Sequence, residues 1–408
     1  MYGSGMDNTD ILISGASVAG PALAWWLSRR GFHPTVVERA PHLRGGGYAV
    51  DFRGATHLTV LTKMGILDAI KASQTDLSST TIVNEKGRPV APMPVHVFAG
   101  DVEILRGDLG RILYEATRDT TGYIFGDSIT SLDEAADGVQ VCFEHSRPRT
   151  FSLVIGADGL HSNVRRLAFG EDDRFVEDLG LCVSIFSMPD SAGLDHAGLV
   201  CSVPGRTAGV FSAGDNQAIA QLYFAAPSLS YDYRDTAQHK QIVAEAFAGM
   251  GWRVPELMAA MHQAPDFYFD TVSQVHLDRW SAGRVALIGD AACAAGPGGN
   301  GTGNAVVAAY VLAGELAAAG GDYRTAFERY QQLLRPYVAK GQKQALGAKD
   351  FFAPPTPKKI AQLQRFYKML PYLPVKGLMK YLTTRTATGI KLPDYSPAET
   401  APLSRMAH

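Results

Sequence analysis

Short apolar runs recur along this chain, and most of them end in glycine. The first, Ile-Leu-Ile-Ser over 11–14, breaks at Gly15 and enters Ala-Leu-Ala-Trp-Trp-Leu; a second, Pro34-Thr-Val-Val, ends on Glu38. A third, over 153–155, is broken by Gly156-Ala-Asp-Gly159, and a fourth, from Gly283, runs through Val-Ala-Leu-Ile to Gly289-Asp290. Runs apolar on both faces predict strands covered from both sides, and their alternation with helices predicts a mostly parallel sheet. Between 176 and 278 the pattern changes: segments over 181–186, 198–203, 209–211 and 218–225 alternate apolar with small or polar residues, which predicts a sheet covered on one face. Residues 80–92 predict a hairpin turning near Lys86-Gly87. Helices are predicted over 55–64, 66–72, 236–249, 254–262, 305–319 and 322–349, with two shorter tail helices split by Pro371 and Pro374 that carry Leu363, Phe366, Tyr367, Leu370, Leu378, Tyr381 and Leu382.

The turn Gly15, Ala16, Ser17, Val18, Ala19, Gly20 carries the first candidate chemistry. A helix entered this way aims free backbone N–H groups and the positive end of its dipole over the turn, which suits a diphosphate. A tightly packed turn with no ligand has the same pattern, but Glu38 stands 23 residues past Gly15, where a dinucleotide unit places the acid for the ribose hydroxyls. Ser17 holds the middle position usually given to glycine. The glycine run ending at Gly47, with Arg44, Asp51 and Arg53 at its margins, reads either as a surface loop or as backbone passing close to a planar ligand. Arg106, between a strand and a helix, reads as a surface charge or a ligand contact. Asp158 lies at a strand end, where open α/β sheets place ligands. Pro297-Gly-Gly-Asn-Gly-Thr-Gly-Asn304 brings a second glycine-rich loop to a helix N-terminus.

Composition narrows the partners. With 408 residues, two packed domains are expected; 46% hydrophobic residues supply their cores, and a net charge of −2 gives no electrostatic case for nucleic acid or an anionic membrane. Cys142, Cys182, Cys201 and Cys293 show no Cys-x-x-Cys spacing, so neither a disulfide framework nor a metal is expected. No run reaches the ~18 apolar residues of a membrane span, and no signal-peptide pattern opens the chain, so a cytoplasmic protein is expected. The basic tail fits membrane-surface binding or packing across the domains with its charges solvated; packing is expected.

Three separated motifs stand in one order: the 15–20 turn with Glu38, Gly156-Ala-Asp-Gly-x-x-Ser-x-Val-Arg165, and Gly289-Asp-Ala-Ala with Gly299-Asn-Gly301. In this the chain resembles the FAD-dependent aromatic hydroxylases, the single-component monooxygenases related to para-hydroxybenzoate hydroxylase. Within them it is most similar to the tetracycline-inactivating branch and its polyketide-modifying relatives. Two departures stand out: Cys293 where a histidine commonly follows Gly-Asp-Ala-Ala, and a loop from Pro297 to the Gly-x-Gly one residue short.

The resemblance implies an α/β fold, a Rossmann-like FAD-binding domain interleaved with a β-sheet substrate domain, plus C-terminal helices. FAD-binding parts would span 8–78, 101–175 and 279–340, the substrate domain 79–100 and 176–278, and the C-terminal helical segment 341–408. It implies that Glu38 holds the adenosine ribose with Arg39 near the adenine, that the 15–20 turn and Asp290 cradle pyrophosphate and ribitol, and that Arg106 contacts flavin or ribitol. Asp158 would serve FAD and nicotinamide, with Gly47, Asp51 and Gly289 beside the cofactor and Gly299, Gly301 and Thr302 along the isoalloxazine. NADPH, or NADH, would visit transiently, and O2 would react to give a flavin hydroperoxide that hydroxylates an aromatic or polycyclic small molecule. Phe186, Phe211, Gln221, Tyr223 and Pro297 are candidates for the substrate pocket, and the strand residues among them read equally as core. A monomer is expected. A flavin-dependent reductase or dehydrogenase that inserts no oxygen is the alternative, followed by a non-catalytic binding protein.

Overall fold

The computed structural model describes residues 8–43, 45–75, 77–93, 100–227, 229–372 and 386–395. Its six-stranded sheet runs in the order Ser281–Ala282, Val285–Leu287, Leu153–Gly156, Asp10–Ser14, His33–Glu38, Gly122–Phe125. All pairs but the first are parallel, and Ile11 lies beside both Leu153 and Pro34. Ile11, Leu12, Ile13, Leu153, Val154 and Ile155 are fully buried, as continuous apolar runs require of a sheet covered on both faces. Helix Ala19–Ser28 packs on helix Gly301–Ala318, which is buried nearly all round and so belongs to the interior rather than to a surface.

A seven-stranded sheet roofs this unit, in the order Tyr268–Val275, Val176–Pro189, Gln217–Ala225, Arg206–Gly214, Ala197–Val203, Ser79–Val83, Pro89–Met93. The predicted hairpin joins its edge by parallel pairing of 79–83 with 197–201. The hairpin turns because the side-chain oxygen of Asn84 accepts the Lys86 and Arg88 amides and Gly87 takes φ +73°. One face of the roof packs on helices Thr236–Ala246 and Val254–Gln263 around Phe186, Phe247, Leu257 and Met261. The other face meets helices Ala348–Phe352 and Pro357–Met369.

Several boundaries differ from the sequence expectation. The predicted helix over 322–349 is two, Tyr323–Ala345 and Ala348–Phe352, and the predicted 305–319 helix begins four residues earlier, at Gly301. Strand Ala49–Phe52, which the sequence left unassigned, pairs with Val102–Leu105. Arg44 and the tail residues Pro374, Leu378, Tyr381 and Leu382 lie outside the described residues.

Candidate active site between the two sheets

The turn after the first strand needs its glycines. Gly15 takes φ +108°, and a Cβ there would lie 2.5 Å from the Ala157 carbonyl oxygen; a Cβ on Gly20 would collide with the Gly15 carbonyl. The Gly15 amide bonds to Val37 O at 2.8 Å, closing the turn onto the second strand. Helix Ala19–Ser28 then opens at Val18 with no described side chain capping it, so its first amides are left for a ligand. Glu38 is oriented by two backbone donors, Ala16 N at 2.9 Å and Ala40 N at 2.8 Å, one on each carboxylate oxygen. Both oxygens keep a further lone pair for hydroxyl donors. Arg39 beside it is exposed.

Ser17 fits the turn because its hydroxyl accepts from Arg106 Nε at 3.2 Å. Arg106 opens helix Arg106–Glu115, its amide bonded to Tyr48 O at 3.0 Å and its guanidinium 5.6 Å from the centre of the Tyr48 ring. Tyr48, with Tyr268, Asp290 and Glu38, holds this arginine above its ordinary value against its burial. Gly107 donates to Gly46 O at 2.9 Å, and a Cβ on Gly107 would lie 2.6 Å from Gly46 N, so the 45–47 run is pressed onto the helix start with Gly47 at φ +88°. Asp51 makes its contacts elsewhere, ion-paired with Arg53 and set opposite Glu103, and burial raises its carboxyl.

Around Gly289 three helix starts meet: at φ +61° its Cβ position is 3.2 Å from Ala19 Cβ and 3.5 Å from Ala305 Cβ. Asp290, first residue of helix Asp290–Cys293, has its carboxyl raised by burial, an effect that Arg106 opposes. Gly301 lies beside Asp290, a Cβ there falling at ordinary contact distance, 3.5 Å, from its Oδ1, and Thr302 follows in the same first helical turn. Gly299 O accepts from Asn304 Nδ2 at 3.0 Å, which orients the loop at the helix start. Cys293 sits against Gly289 O at 3.4 Å, and burial pushes its thiol up, so it stays protonated and unreactive.

The Asp158 carboxylate is engaged within the protein. It accepts from Ser14 and Ser162 hydroxyls and from Val164 N at 3.1 Å, bracing the first strand against helix Asn163–Phe169 and leaving backbone at the strand end to face a ligand. Arg165, fully buried, ties this motif to the Gly-Asp-Ala-Ala helix by donating to Ala291 O at 3.0 Å, and it pairs with Asp172. A seam to the roof follows: Asp270 accepts His161 Nε2 and the Tyr231 hydroxyl on one oxygen, each at 2.9 Å, and the Tyr268 hydroxyl on the other at 3.1 Å. Tyr268 in turn lies 6.0 Å from Tyr48, ring to ring. Arg165 lay inside a quoted motif without an assigned role; Tyr48, Tyr231, Tyr268 and Asp270 carried no local signal.

A cavity of about 90 Å³ opens between the roof and the C-terminal helices, lined by Phe211, Gln221 and Tyr223 from the sheet and Phe352, Leu363 and Tyr367 from the helices. Tyr223 stacks on Phe352 at 4.4 Å, and burial, with Tyr48 adding to it, raises its phenol. Phe186 does not join them. It pairs with Ala220, whereas Gln221 pairs with Ile185 and Tyr223 with Val183, so strand alternation turns Phe186 to the opposite face, 1% exposed in the second core. Pro297 lies in the loop before helix Gly301–Ala318 and not on the cavity wall.

Uncapped helix starts, glycines whose Cβ positions would be blocked, an acid held for diol hydroxyls and the Arg106–Asp290 pair together fit FAD. Among the described residues no group of three His, Cys, Asp or Glu could hold a metal, and no helix is long and apolar enough to cross a membrane.

Comparison with known proteins agrees. Residues 8–345 match the family described as FAD binding domain. A flavin-dependent monooxygenase of Legionella longbeachae is 37% identical over 397 residues, covering 95% of this chain and 98% of that one. An uncharacterized protein of Mycobacterium tuberculosis is 44% identical over 340 residues, 81% of this chain and 91% of its own. Among solved structures, tetracycline destructase Tet(51) superposes with a TM-score of 0.84 at 34% identity, covering 94% of this chain and 99% of that one.

Proposed function

This chain belongs to the FAD binding domain family and is an FAD-dependent monooxygenase, and we propose that its substrate is a polycyclic, polyketide-like molecule of the tetracycline kind. One observation supports this reading above the rest: the cavity between the roof and the C-terminal helices is walled by aromatic and aliphatic side chains and carries Gln221 and Tyr223 on its sheet side. A mostly apolar wall with a few placed polar groups is the lining that recognises ring systems of this kind. Tetracycline destructase, by its name, acts on such a molecule.

In this reading the amides at the start of helix Ala19–Ser28 take the pyrophosphate, Glu38 the ribose hydroxyls, and Arg106 and Asp290 the ribitol, with 299–302 along the flavin ring. When bound, FAD accepts hydride from NAD(P)H and activates O2, the chemistry no side chain here supplies. The chain's own task is to orient and to keep dry. The Tyr223 hydroxyl and the Gln221 amide hydrogen-bond an oxygen-bearing edge of the substrate, while Phe211, Phe352, Leu363 and Tyr367 exclude water from the reacting carbon. NADPH is the proposed donor, and the protein is proposed to act as a cytoplasmic monomer.

The test is NADPH oxidation by the purified, FAD-loaded protein in air, with and without a tetracycline, followed by mass spectrometry. Substrate-stimulated oxidation with a product gaining one oxygen is expected. Stimulation without oxygen gain would make the protein a reductase, and no stimulation by any polycyclic phenol would remove the proposed substrate class.

A further inference from the structure

The loop that departs in length from the family pattern is held from outside. Asn300, the residue before helix Gly301–Ala318, takes the left-handed conformation (φ 60°, ψ 31°), and its side chain does not cap the helix. Instead its Nδ2 donates to Thr386 Oγ1 at 2.9 Å; the Thr386 hydroxyl donates to Gln344 Oε1 at 2.8 Å; and Gln344 Nε2 returns to the loop, donating to Gly298 O at 2.8 Å. Two side chains remote in sequence thus close a ring on both sides of Gly299. From within, a Cβ on Gly341 would lie 2.6 Å from Gly299 O, so the loop rests directly on helix Tyr323–Ala345.

Thr386 belongs to the segment 386–395, which is fastened at further points, the first of them the adjacent Ala387. Tyr337 donates to Ala387 O at 3.2 Å, Tyr310 to Pro393 O at 2.7 Å, and the Tyr395 hydroxyl to Glu315 Oε1 at 2.6 Å, with the Tyr395 ring filling the space beside Gly314. A strap anchored at three other points can hold Thr386 still while Thr386 holds Asn300.

We propose that Thr386 and Gln344 are positioning residues that act through Asn300 and Gly298 to fix the direction of the free amides at the start of helix Gly301–Ala318, and with it the seat of the flavin ring. This rests on the monooxygenase reading for its ligand, but the clamp itself is a property of the protein alone. Asparagine accepts the left-handed region more readily than most residues, so what the tether fixes is the direction of the loop at Asn300, and when it goes the amides that follow re-aim.

The experiment compares T386V, T386S and Q344L with the parent, and repeats T386V in an N300G background. Three quantities are read: FAD affinity by titration, the visible spectrum of the bound flavin, and amide hydrogen exchange over 298–304 in FAD-free protein. Losing one hydrogen bond of average strength corresponds to about a five-fold weaker FAD affinity. T386V and Q344L are expected to show that loss, a shifted flavin spectrum and faster exchange, and T386S to match the parent. In N300G, which has no side chain to tether, T386V should cost less than in the parent, because only the Gln344–Gly298 arm is left to disturb. Parent-like affinity, spectrum and exchange in both T386V and Q344L would overturn the proposal, as would an undiminished effect of T386V in N300G. A parent protein that takes up no FAD would sink the monooxygenase reading instead, and the exchange comparison would still decide the clamp.

Discussion

His57 is buried completely, and its surroundings have room for only one protonation state. Its Nδ1 accepts the Arg53 amide at 3.1 Å, its Nε2 meets the Tyr337 hydroxyl at 2.8 Å, and Tyr337 passes its own proton to Ala387 O. The ring fills the space where a Cβ on Gly303 would stand, in the first turn of helix Gly301–Ala318. Burial, with Arg53 adding to it, lowers its pKa to about 4 from 6.5. The unfolded chain therefore binds a proton below pH 6.5 that the folded chain refuses until about pH 4. Stability is full above pH 6.5 and is lost as the pH falls through that window. The linkage amounts to about 2 kcal/mol between pH 8 and pH 5, rising to roughly 3 kcal/mol below pH 4. H57Q keeps an acceptor for Arg53 and a donor for Tyr337 but cannot titrate. Urea unfolding followed by tryptophan fluorescence should show the parent losing about 2 kcal/mol more than H57Q between pH 8 and pH 5. Equal losses in the two proteins would mean that the buried ring is not what the acid attacks.

Gly15→Ala should fold poorly and purify colourless, because the Cβ meets Ala157 O in a backbone conformation that side chains avoid; flavin absorbance per mole of protein measures it. Y223F should lower kcat/KM for the polycyclic substrate by about ten-fold, one hydrogen bond to the ligand, and leave FAD content unchanged. F186A should do the reverse, costing roughly 3–5 kcal/mol of unfolding free energy through the cavity it leaves while KM stays within two- to three-fold. R165M leaves the Ala291 carbonyl without its buried donor while Asp172, more than a third exposed, is re-solvated, and calorimetry should register a loss of about 1–3 kcal/mol.

What could be read in advance was what the backbone dictates locally. Gly15, Gly20 and Gly289 stand where a side chain would strike a neighbour or the chain must turn left-handed, and such demands leave the same residue types at the same spacing wherever the turn occurs. Glu38 was legible for a related reason, since the second strand has to end beside the first turn for Ala16 N to reach its carboxylate. The roof was different. Its alternation shows that one face is apolar but not which partner sets the phase, and a shift of one residue carries a side chain from one face to the other. Phe186 and Gln221 therefore looked alike in sequence, and only the pairing of Phe186 with Ala220 and of Gln221 with Ile185 separates core from cavity wall. Least legible were groups that gain meaning from distant partners. Asp270 is an unremarked residue on an alternating strand until His161, 109 positions away, reaches its carboxylate, and Thr386 is a tail hydroxyl until Asn300 is seen to depend on it. The motifs thus mark the turns proposed to hold the cofactor, while the fit around them is set by long-range contacts that no local pattern encodes. Relatives that share every glycine of the turn can consequently differ in what they oxidise, and substitutions at 221, 223, 352 and 367 should move substrate preference further than any change within the motifs that preserves FAD.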